Sequence, residues 1–460
     1  MRERSWPAAA LAGFVFGEVA HAGGYSWLWR LVPVFLGGDV VLGAALWLAH
    51  SVWFSLGFAL FGCLYRAVRR RGGPVVAAAL PPLLAVEWLH PQLFPVNLGN
   101  ALIDRTALVQ VADLGGPLLV SALAAGVAVA IFESLRWLRG APPPRALWLA
   151  TALSLALAFG YGAARVAAVS RSLAGAPALR VGLVQGNLGV LEKRRDPPLV
   201  HRSYLEQTRE LLAAGELDLV VWPETVYSRG LQGPFPISGM LIREELRVPL
   251  LFGGATVRAE GGRSRRYNSA LLVGADGVIR DVYDKNLLVP FAEYLPFAER
   301  SPSLAAAFPQ AEAFAAGGDT PPLSLGPWRI STPICSESAE PALLRSMAAR
   351  AQPHLFVSLA NDGWFGDSAE PWIHLAVARL RAVEHKRYFV HATNTGVSAV
   401  VDPFGRVVVR AGLLTRESLR AEVRLLEGRT LYGLLGDWPG WLAAAAVCAA
   451  LIRRRTRARA

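Results

Sequence analysis

Long apolar stretches fill the first 170 residues of the chain and return near its C-terminus, whereas short apolar runs alternate with polar segments in between. A helix needs about 20 apolar residues to cross the hydrocarbon core of a bilayer. We therefore predict membrane spans over residues 7–22, 38–65, 75–93, 114–135, 147–168 and 437–452. The middle of the chain, by contrast, has the pattern of a globular domain.

The predicted domain order follows from this pattern. It comprises a transmembrane helical domain of about five spans over residues 1–170, an extracytoplasmic globular domain over 178–430, a sixth span over 437–452 and a basic cytoplasmic tail over 453–460. The composition agrees, because 53% hydrophobic residues are too many for a wholly soluble protein and 18% charged residues are too many for a pure membrane bundle.

Arginine clusters flank the predicted spans and set their orientation. They comprise Arg2, Arg4, Arg66, Arg69, Arg70, Arg71, Arg136, Arg139, Arg145, Arg453, Arg454, Arg455, Arg457 and Arg459. These residues account for the whole net charge of +12, so no basic surface is left to favour nucleic acid as a partner. Loops rich in arginine stay in the cytoplasm, and this rule places residues 170–436 on the outer side of the membrane.

Two features of the membrane part allow more than one interpretation. Residues 1–22 have a basic start, a short apolar run and Ala20-His21-Ala22, so they also resemble a cleavable signal peptide. Glu87 lies in the third predicted span, where a carboxylate is a candidate functional group. Its neighbours Trp88 and His90 favour a place at the outer interface instead.

Predicted strands and helices alternate in the globular domain. We predict strands over 178–185, 217–222, 249–254, 328–335 and 355–358, helices over 198–214, 339–351 and 369–386, one hairpin over 268–284, and strands over 388–400 and 406–410 around Asp402-Pro403-Phe404-Gly405. Alternating strands and helices followed by late hairpins are typical of a mixed α/β layered domain.

Three candidates for chemistry stand at the ends of predicted strands, namely Glu224, Lys285 and Cys335. A thiol nucleophile needs a base to take its proton, and an ammonium group stabilises both thiolate and oxyanion. The helix that follows Cys335 would favour the thiolate. Each residue also has a plainer interpretation, as a helix-start acid, a solvated turn residue and a buried core thiol respectively. Spacing along the chain does not show whether the three meet.

Other candidate ligands are few. Cys63 and Cys448 lie in apolar segments, so the three cysteines suggest neither a disulfide framework nor a zinc cluster. His374, His385 and His391 have no metal-ligand spacing, and surface or packing roles are favoured for them. We therefore expect no metal and no cofactor.

Four motifs identify the family that the chain resembles. They are VVWPE (220–224), YDKNLLVPFAEYLP (283–296), PICSE (333–337) and NDGWFGDSAEPWIHLAVARLRAVE (361–384). They resemble the nitrilase, or carbon–nitrogen hydrolase, superfamily, and within it the membrane-bound apolipoprotein N-acyltransferase family. Further similarity covers VQGN (184–187), HATNTG (391–396) and EWLHPQLFPVNLGN (87–100), so it extends over nearly the whole chain.

The resemblance implies a fold and a set of roles. The fold is a multi-span helical membrane domain that carries a nitrilase-like αββα sandwich. Glu224 is implied as general base, Lys285 as stabiliser of the tetrahedral intermediate and Cys335 as nucleophile. Glu293 is implied to position Lys285, and the backbone N–H of Ser336 to complete the oxyanion hole. Glu337 matches the acidic residue of the family motif.

The resemblance also implies the reaction and its partners. A phospholipid donates a fatty acyl chain to Cys335, and the thioester is attacked by the N-terminal amine of a diacylated apolipoprotein. The enzyme is expected to be a monomer in the bacterial inner membrane, with its catalytic domain on the periplasmic side. Two departures from the family pattern concern substrate handling, because Ser336 stands where tyrosine is usual and residues 192–195 where tryptophan is usual.

Two other hypotheses belong to different classes. A membrane-tethered amidase would use the same Glu–Lys–Cys triad with water as acceptor. A membrane scaffold without catalytic activity would tolerate Cys335→Ser. The presence of the complete triad argues against the scaffold.

Overall fold

The computed structural model describes residues 5–29, 39–233, 235, 242, 244–296 and 313–452. The predicted basic tail, 453–460, lies outside the described residues. The helices are α1 (Trp6–Gly24), α2 (Val40–Arg70), α3 (Val75–Leu89), α4 (Thr106–Val109), α5 (Ala112–Leu138), α6 (Arg145–Ala174), α7 (Val190–Arg195), α8 (Pro197–Ala213), α9 (Pro341–Ala351), α10 (Glu370–His385), α11 (Leu431–Leu435) and α12 (Trp438–Ile452).

Thirteen strands occur in the described part of the chain. They are β1 (Ala178–Gln185), β2 (Leu219–Val221), β3 (Tyr227–Gln232), β4 (Leu250–Glu260), β5 (Arg263–Val273), β6 (Ile279–Asp284), β7 (Leu323–Leu325), β8 (Trp328–Ser331), β9 (Leu355–Ala360), β10 (Tyr388–Thr393), β11 (Ala399–Val401), β12 (Val407–Arg410) and β13 (Glu417–Arg424).

The strands form two sheets. One has the order β13-β1-β2-β4-β5-β6, with β3 paired to β4, and the other has the order β12-β11-β10-β9-β8-β7. A shared apolar core holds residues from both sheets, such as Val181 and Leu251 from the first and Val357 and Val390 from the second. Helix α8 packs on the far side of the first sheet, whereas α9 and α10 pack against the second. The predicted nitrilase-like αββα sandwich is confirmed.

The membrane part consists of long apolar helices. Among the described residues, α2, α5 and α6 are long and apolar enough to cross a membrane, and α3 and α12 are shorter apolar helices. Each of the six predicted spans overlaps one helix, α1 included. That all six cross the bilayer stays a prediction.

Glu87 has structural partners near the end of α3. Its Oε1 accepts hydrogen bonds from the backbone N–H of Leu98 at 2.5 Å and from the hydroxyl of Ser121 at 3.0 Å. The carboxylate therefore ties the segment after α3 to α5. These contacts give Glu87 a packing role at the end of its helix.

The short helix α11, which follows the globular domain, packs closely on the start of α5. Helix α5 bends at Gly116, whose φ is 67°, a conformation that glycine adopts readily. A Cβ at this position would lie 2.4 Å from Cε2 of Tyr432 in α11. The glycine thus lets the aromatic ring pack directly against the helix backbone.

Candidate active site

Cys335 lies at a sharp turn beyond β8. The chain stays extended after Ser331, and Ile334 forms an isolated bridge with Leu359 of β9. Cys335 then begins a short 3-10 helix, Cys335–Ala339, with φ of 52°. This left-handed conformation costs a residue with a side chain roughly 1–3 kcal/mol and persists only where the surroundings fix it. The turn separates the thiol from the strand and from α9, which starts at Pro341.

Glu224 and Lys285 come together from two strands of the first sheet, β2 and β6, between which β4 and β5 lie. Glu224 follows β2 and Lys285 follows β6, and the Lys285 Nζ lies 3.7 Å from Oε1 of Glu224. Asn268 of β5 donates hydrogen bonds to Glu224 Oε1 at 2.7 Å and to Glu293 Oε1 at 2.9 Å. The amide group of Asn268 therefore links the two carboxylates that flank the Lys285 ammonium.

Glu293 is the nearest partner of Lys285. The Lys285 Nζ lies 2.9 Å from Oε1 and 2.8 Å from Oε2 of Glu293. Burial alone would lower the pKa of Lys285, but the carboxylates of Glu293 and Glu224 outweigh it and raise the pKa above its ordinary value. The lysine is therefore an ammonium ion at neutral pH.

A cavity of about 410 Å³ collects the predicted site residues. Its polar wall includes Glu224, Lys285, Glu293, Cys335 and Ser336. The other walls are mostly apolar and come partly from the helical domain: Tyr25, Trp27, Leu28, Leu46, Trp47, Leu93, Phe94, Trp364 and Phe365. The predicted triad and two of its predicted accessory residues thus share one chamber at the junction of the two domains.

The thiol of Cys335 is protonated at rest. Burial raises its pKa well above the usual range, the Glu224 carboxylate raises it further, and the Lys285 ammonium opposes both. The expectation that a following helix favours the thiolate is wrong, because the turn beyond Cys335 is a five-residue 3-10 helix and desolvation dominates. Attack by this sulfur therefore requires a base.

Glu337 has a different place from the other accessory candidates. It is fully buried, and its carboxylate accepts hydrogen bonds from the Tyr283 hydroxyl and from the backbone N–H groups of Asn286, Leu287 and Ile334. One side chain thus fastens the segment that carries Lys285 to the segment that carries Cys335.

Two contributors to the site could not be found from spacing. Asn268 lies within β5, 17 residues before Lys285 in the chain. Lys193 of α7 is buried, and its Nζ donates to the backbone oxygen of Glu224 at 3.1 Å. Burial lowers the pKa of Lys193 to about 8, with Glu224 opposing the change. The only signal for Lys193 was a charged residue where the family usually has tryptophan.

The histidines are buried, so the surface role expected for them as one possibility is wrong. His374, His385 and His391 are all at most 6% exposed. His374 and His391 meet Asp362, and one potential metal-ligand atom from each lies within 4.8 Å of the others. A metal ion would fit this spacing, but both ring nitrogens of His374 already have hydrogen-bond partners. The expectation of no metal stays a prediction.

Two family models match the chain. Residues 180–431 match the carbon–nitrogen hydrolase family, and residues 1–130 match the N-terminal domain of apolipoprotein N-acyltransferase. The two matches together cover the sandwich and most of the helical domain.

Similar proteins match over nearly the whole chain. The apolipoprotein N-acyltransferase of Geobacter metallireducens is 31% identical over 459 residues, which cover 96% of this chain and 87% of that protein. The apolipoprotein N-acyltransferase of Azotobacter vinelandii is 32% identical over 475 residues, with 99% and 89% covered. Among solved structures, Saccharomyces cerevisiae Nit3, a member of the nitrilase superfamily, aligns with a TM-score of 0.43 and 19% identity over 54% of this chain and 90% of its own.

Proposed function

The chain belongs to the apolipoprotein N-acyltransferase family of carbon–nitrogen hydrolases, and we propose that Cys335 carries the fatty acyl chain between a phospholipid and the N-terminal amine of an apolipoprotein. The protein is a membrane-associated acyltransferase.

The single observation that carries the proposal is the shared cavity. A protonated thiol, a carboxylate and an ammonium group line the cavity, and apolar side chains of the helical domain, mostly from the segments that follow its helices, line much of the rest. A fatty acyl chain suits such walls, because burial of apolar surface is favourable. The ester carbonyl next to that chain would lie beside Cys335.

In the first half of the reaction, the Cys335 sulfur attacks the ester carbonyl of the phospholipid while Glu224 takes the thiol proton. The Lys285 ammonium and the Ser336 backbone N–H stabilise the oxyanion of the tetrahedral intermediate. The carbon–oxygen bond then breaks, and Glu224 gives its proton to the departing alkoxide. The products are a lysophospholipid and an acyl-thioester on Cys335.

In the second half, the free amine of a diacylated apolipoprotein attacks the thioester. Glu224 takes a proton from the amine, the carbon–sulfur bond breaks, and the proton returns to the sulfur of Cys335. An amide-linked third acyl chain results. The apolar cavity supports this outcome, since excluding water protects the thioester from hydrolysis.

The proposed setting is the bacterial inner membrane, with the catalytic domain on the periplasmic side and the protein acting as a monomer. The arginine clusters at residues 66–71 and 136–145 support this orientation. Both proposed substrates are anchored in lipid, so a site at the junction of helices and sandwich would meet them at the membrane surface.

The test is to trap the acyl-enzyme. Purified protein is incubated with phospholipid alone, and the mass of the Cys335 peptide is measured. We expect an added acyl group in the wild type and none in Cys335→Ala. Adding a diacylated lipopeptide should remove the acyl group and give triacylated peptide. Acylation that survives Cys335→Ala would refute the assignment of the nucleophile.

The amidase hypothesis predicts a different product. With water as acceptor, incubation would release free fatty acid, or ammonia from an amide substrate, without triacylated peptide. The family to which the chain belongs favours transfer to lipoprotein over hydrolysis.

A further inference from the structure

A buried imidazole lies next to the proposed nucleophile and lines the same cavity. His374 extends from α10, and its Nε2 lies 2.7 Å from the Ser338 Oγ and 3.2 Å from the carbonyl oxygen of Cys335. Its Nδ1 lies 3.1 Å from Asp362 Oδ1. The ring thus connects the Cys335 turn to the segment that follows β9.

The hydrogen-bond partners determine the protonation state of this ring. Ser338 donates its single hydroxyl proton to the Cys335 carbonyl oxygen at 2.9 Å, so its oxygen accepts from His374. The carbonyl of Cys335 and the carboxylate of Asp362 are acceptors as well. Both nitrogens of His374 therefore donate, and the ring is a cation.

The charges around the ring agree with this assignment. Burial lowers the pKa of His374, but Asp362, Glu370 and the Cys335 carbonyl outweigh it and raise the pKa to about 9. Burial and the neighbouring His374 lower the pKa of His391 to about 3, so that ring is neutral. Burial and Asp362 raise the pKa of Glu370 well above its ordinary value. The imidazolium of His374 is therefore paired with the carboxylate of Asp362, while His391 and Glu370 are neutral.

We propose that His374 is a positioning residue for the acyl transfer: its Nε2–H, shared between the Ser338 hydroxyl oxygen and the Cys335 carbonyl oxygen, keeps Cys335 in the left-handed turn that presents its thiol to the cavity. The inference rests on the proposed function, because it takes Cys335 as the nucleophile. Ser338 supplies the second donor to the same oxygen. Asp362 orients the ring through Nδ1.

Two substitutions separate the two contacts of the ring. His374→Gln places an amide N–H near the position of Nε2, whereas His374→Asn places one near Nδ1, and both remove the charge. We expect His374→Asn to slow formation of the acyl-enzyme about 10²-fold, as misplacement of a reacting group does. His374→Gln should keep most of the rate. The KM for phospholipid should change in neither, and equal losses in both variants would overturn the proposal.

A second measurement does not depend on lipid. The rate of Cys335 alkylation by iodoacetamide is followed against pH, and His374→Asn should slow it across the range. His391→Gln is the matched control, a second buried histidine beside the first, and should leave the profile unchanged. If His374→Asn does not fold, Ser338→Ala removes the other donor and should slow acylation roughly five- to tenfold. No change in a folded Ser338→Ala protein would overturn the proposal.

The outcomes separate this inference from the proposed function. Acyl transfer that persists in Cys335→Ala would refute the function. Loss of transfer in Cys335→Ala together with wild-type rates in His374→Asn would refute only the positioning role. Elemental analysis that finds one transition metal per chain would also overturn it, because a metal ligated by His374 would displace one of its ring protons.

Discussion

The acid–base balance of single residues governs how the thiol is activated. Cys335 holds its proton, since burial raises its pKa. Glu224 must therefore be deprotonated before attack. Burial also raises the pKa of Glu224 above its ordinary value, while Lys285 and Lys193 act in the opposite direction. The two ammonium groups thus favour the ionised form of Glu224, which is the form that acts as a base.

Lys193→Met is expected to shift the acidic limb of the pH–rate profile to higher pH. The rate falls as pH drops through the pKa of Glu224, because the protonated acid cannot accept the thiol proton. Removing the Lys193 charge disfavours the carboxylate and raises that pKa. The measurement is the rate of acyl-enzyme formation between about pH 4 and 9, a range that begins near the ordinary glutamate pKa and extends well above it. Arg195→Met, on the exposed side of the same helix, is the control, and an equal shift there would contradict the prediction.

Glu293→Gln is expected to lower kcat roughly 10²-fold with little change in KM. Glu293 holds the Lys285 ammonium at 2.8 Å, whereas Glu224 lies 3.7 Å away. Without the Glu293 charge the ammonium should move towards Glu224, pair with it and weaken it as a base. Steady-state kinetics with phospholipid and lipopeptide measure the change. The exposed Glu422→Gln serves as control, and a pure KM effect would argue against this role.

Elements with a continuous apolar pattern were predictable, including the edge strand β12, whereas strands with many polar residues were not. β1 has the predicted bounds, and α8 and α10 lie within one residue of theirs. β3 and β13 were missed, because each has polar or exposed residues on much of its length. The turn at Gly261 and Gly262 joins β4 to β5, and the prediction stopped β4 at residue 254. A strand is recognised in the sequence by its run of buried apolar residues, and strands that are only partly buried have no such run.

The same limit applies to the site. Glu224, Lys285 and Cys335 were found because strand ends are visible in the sequence. Asn268 and His374 act from the interior of a strand and a helix, where only tertiary packing shows that their side chains reach the site. Register and helix orientation, which spacing does not encode, bring them there.

Glu337→Gln is expected to lower the free energy of unfolding by about 1–3 kcal/mol. Both carboxylate oxygens accept hydrogen bonds from donors at two separate segments. Glutamine would set an N–H₂ group against at least one of those donors and leave it unpaired. The melting temperature in detergent should fall by roughly 2–4 °C per kcal/mol for a domain of this size. Glu245→Gln, at an exposed ion pair, is the control and should have the melting temperature of the wild type. An unchanged melting temperature in Glu337→Gln would show that Glu337 does not hold the two segments together.

At the scale of the whole molecule, buried polar groups join the catalytic domain to the membrane helices. Asp113 of α5 accepts from Arg165 Nε at 2.7 Å and from the Tyr161 hydroxyl at 2.6 Å. Lys386, which follows α10, reaches Asp113 Oδ2 at 3.6 Å and donates to Gln110 Oε1 at 2.6 Å. Since the cavity walls come from both domains, this joint sets the geometry of the site.

Asp113→Asn is expected to impair use of the phospholipid donor more than the reactivity of the thiol itself. The substitution keeps the shape but removes the anion that balances the buried Lys386, and breaking a buried ion pair costs about 3–5 kcal/mol. The helices and the sandwich should then meet less firmly, so the apolar wall supplied by the helices would be displaced. The Cys335 turn, which is held within the sandwich by Glu337 and Ser338, should stay intact.

Two rates measured on one preparation decide this case. Acyl-enzyme formation from phospholipid should fall at least tenfold in Asp113→Asn, about the effect of 1.4 kcal/mol, while alkylation of Cys335 by iodoacetamide should stay near the wild-type rate. Glu216→Gln, at an ion pair whose glutamate side chain is 85% exposed, should change neither rate. Equal loss of both rates in Asp113→Asn would contradict this prediction. It would mean that the contact between Asp113 and Lys386 stabilises the sandwich as a whole and does not act specifically on donor binding.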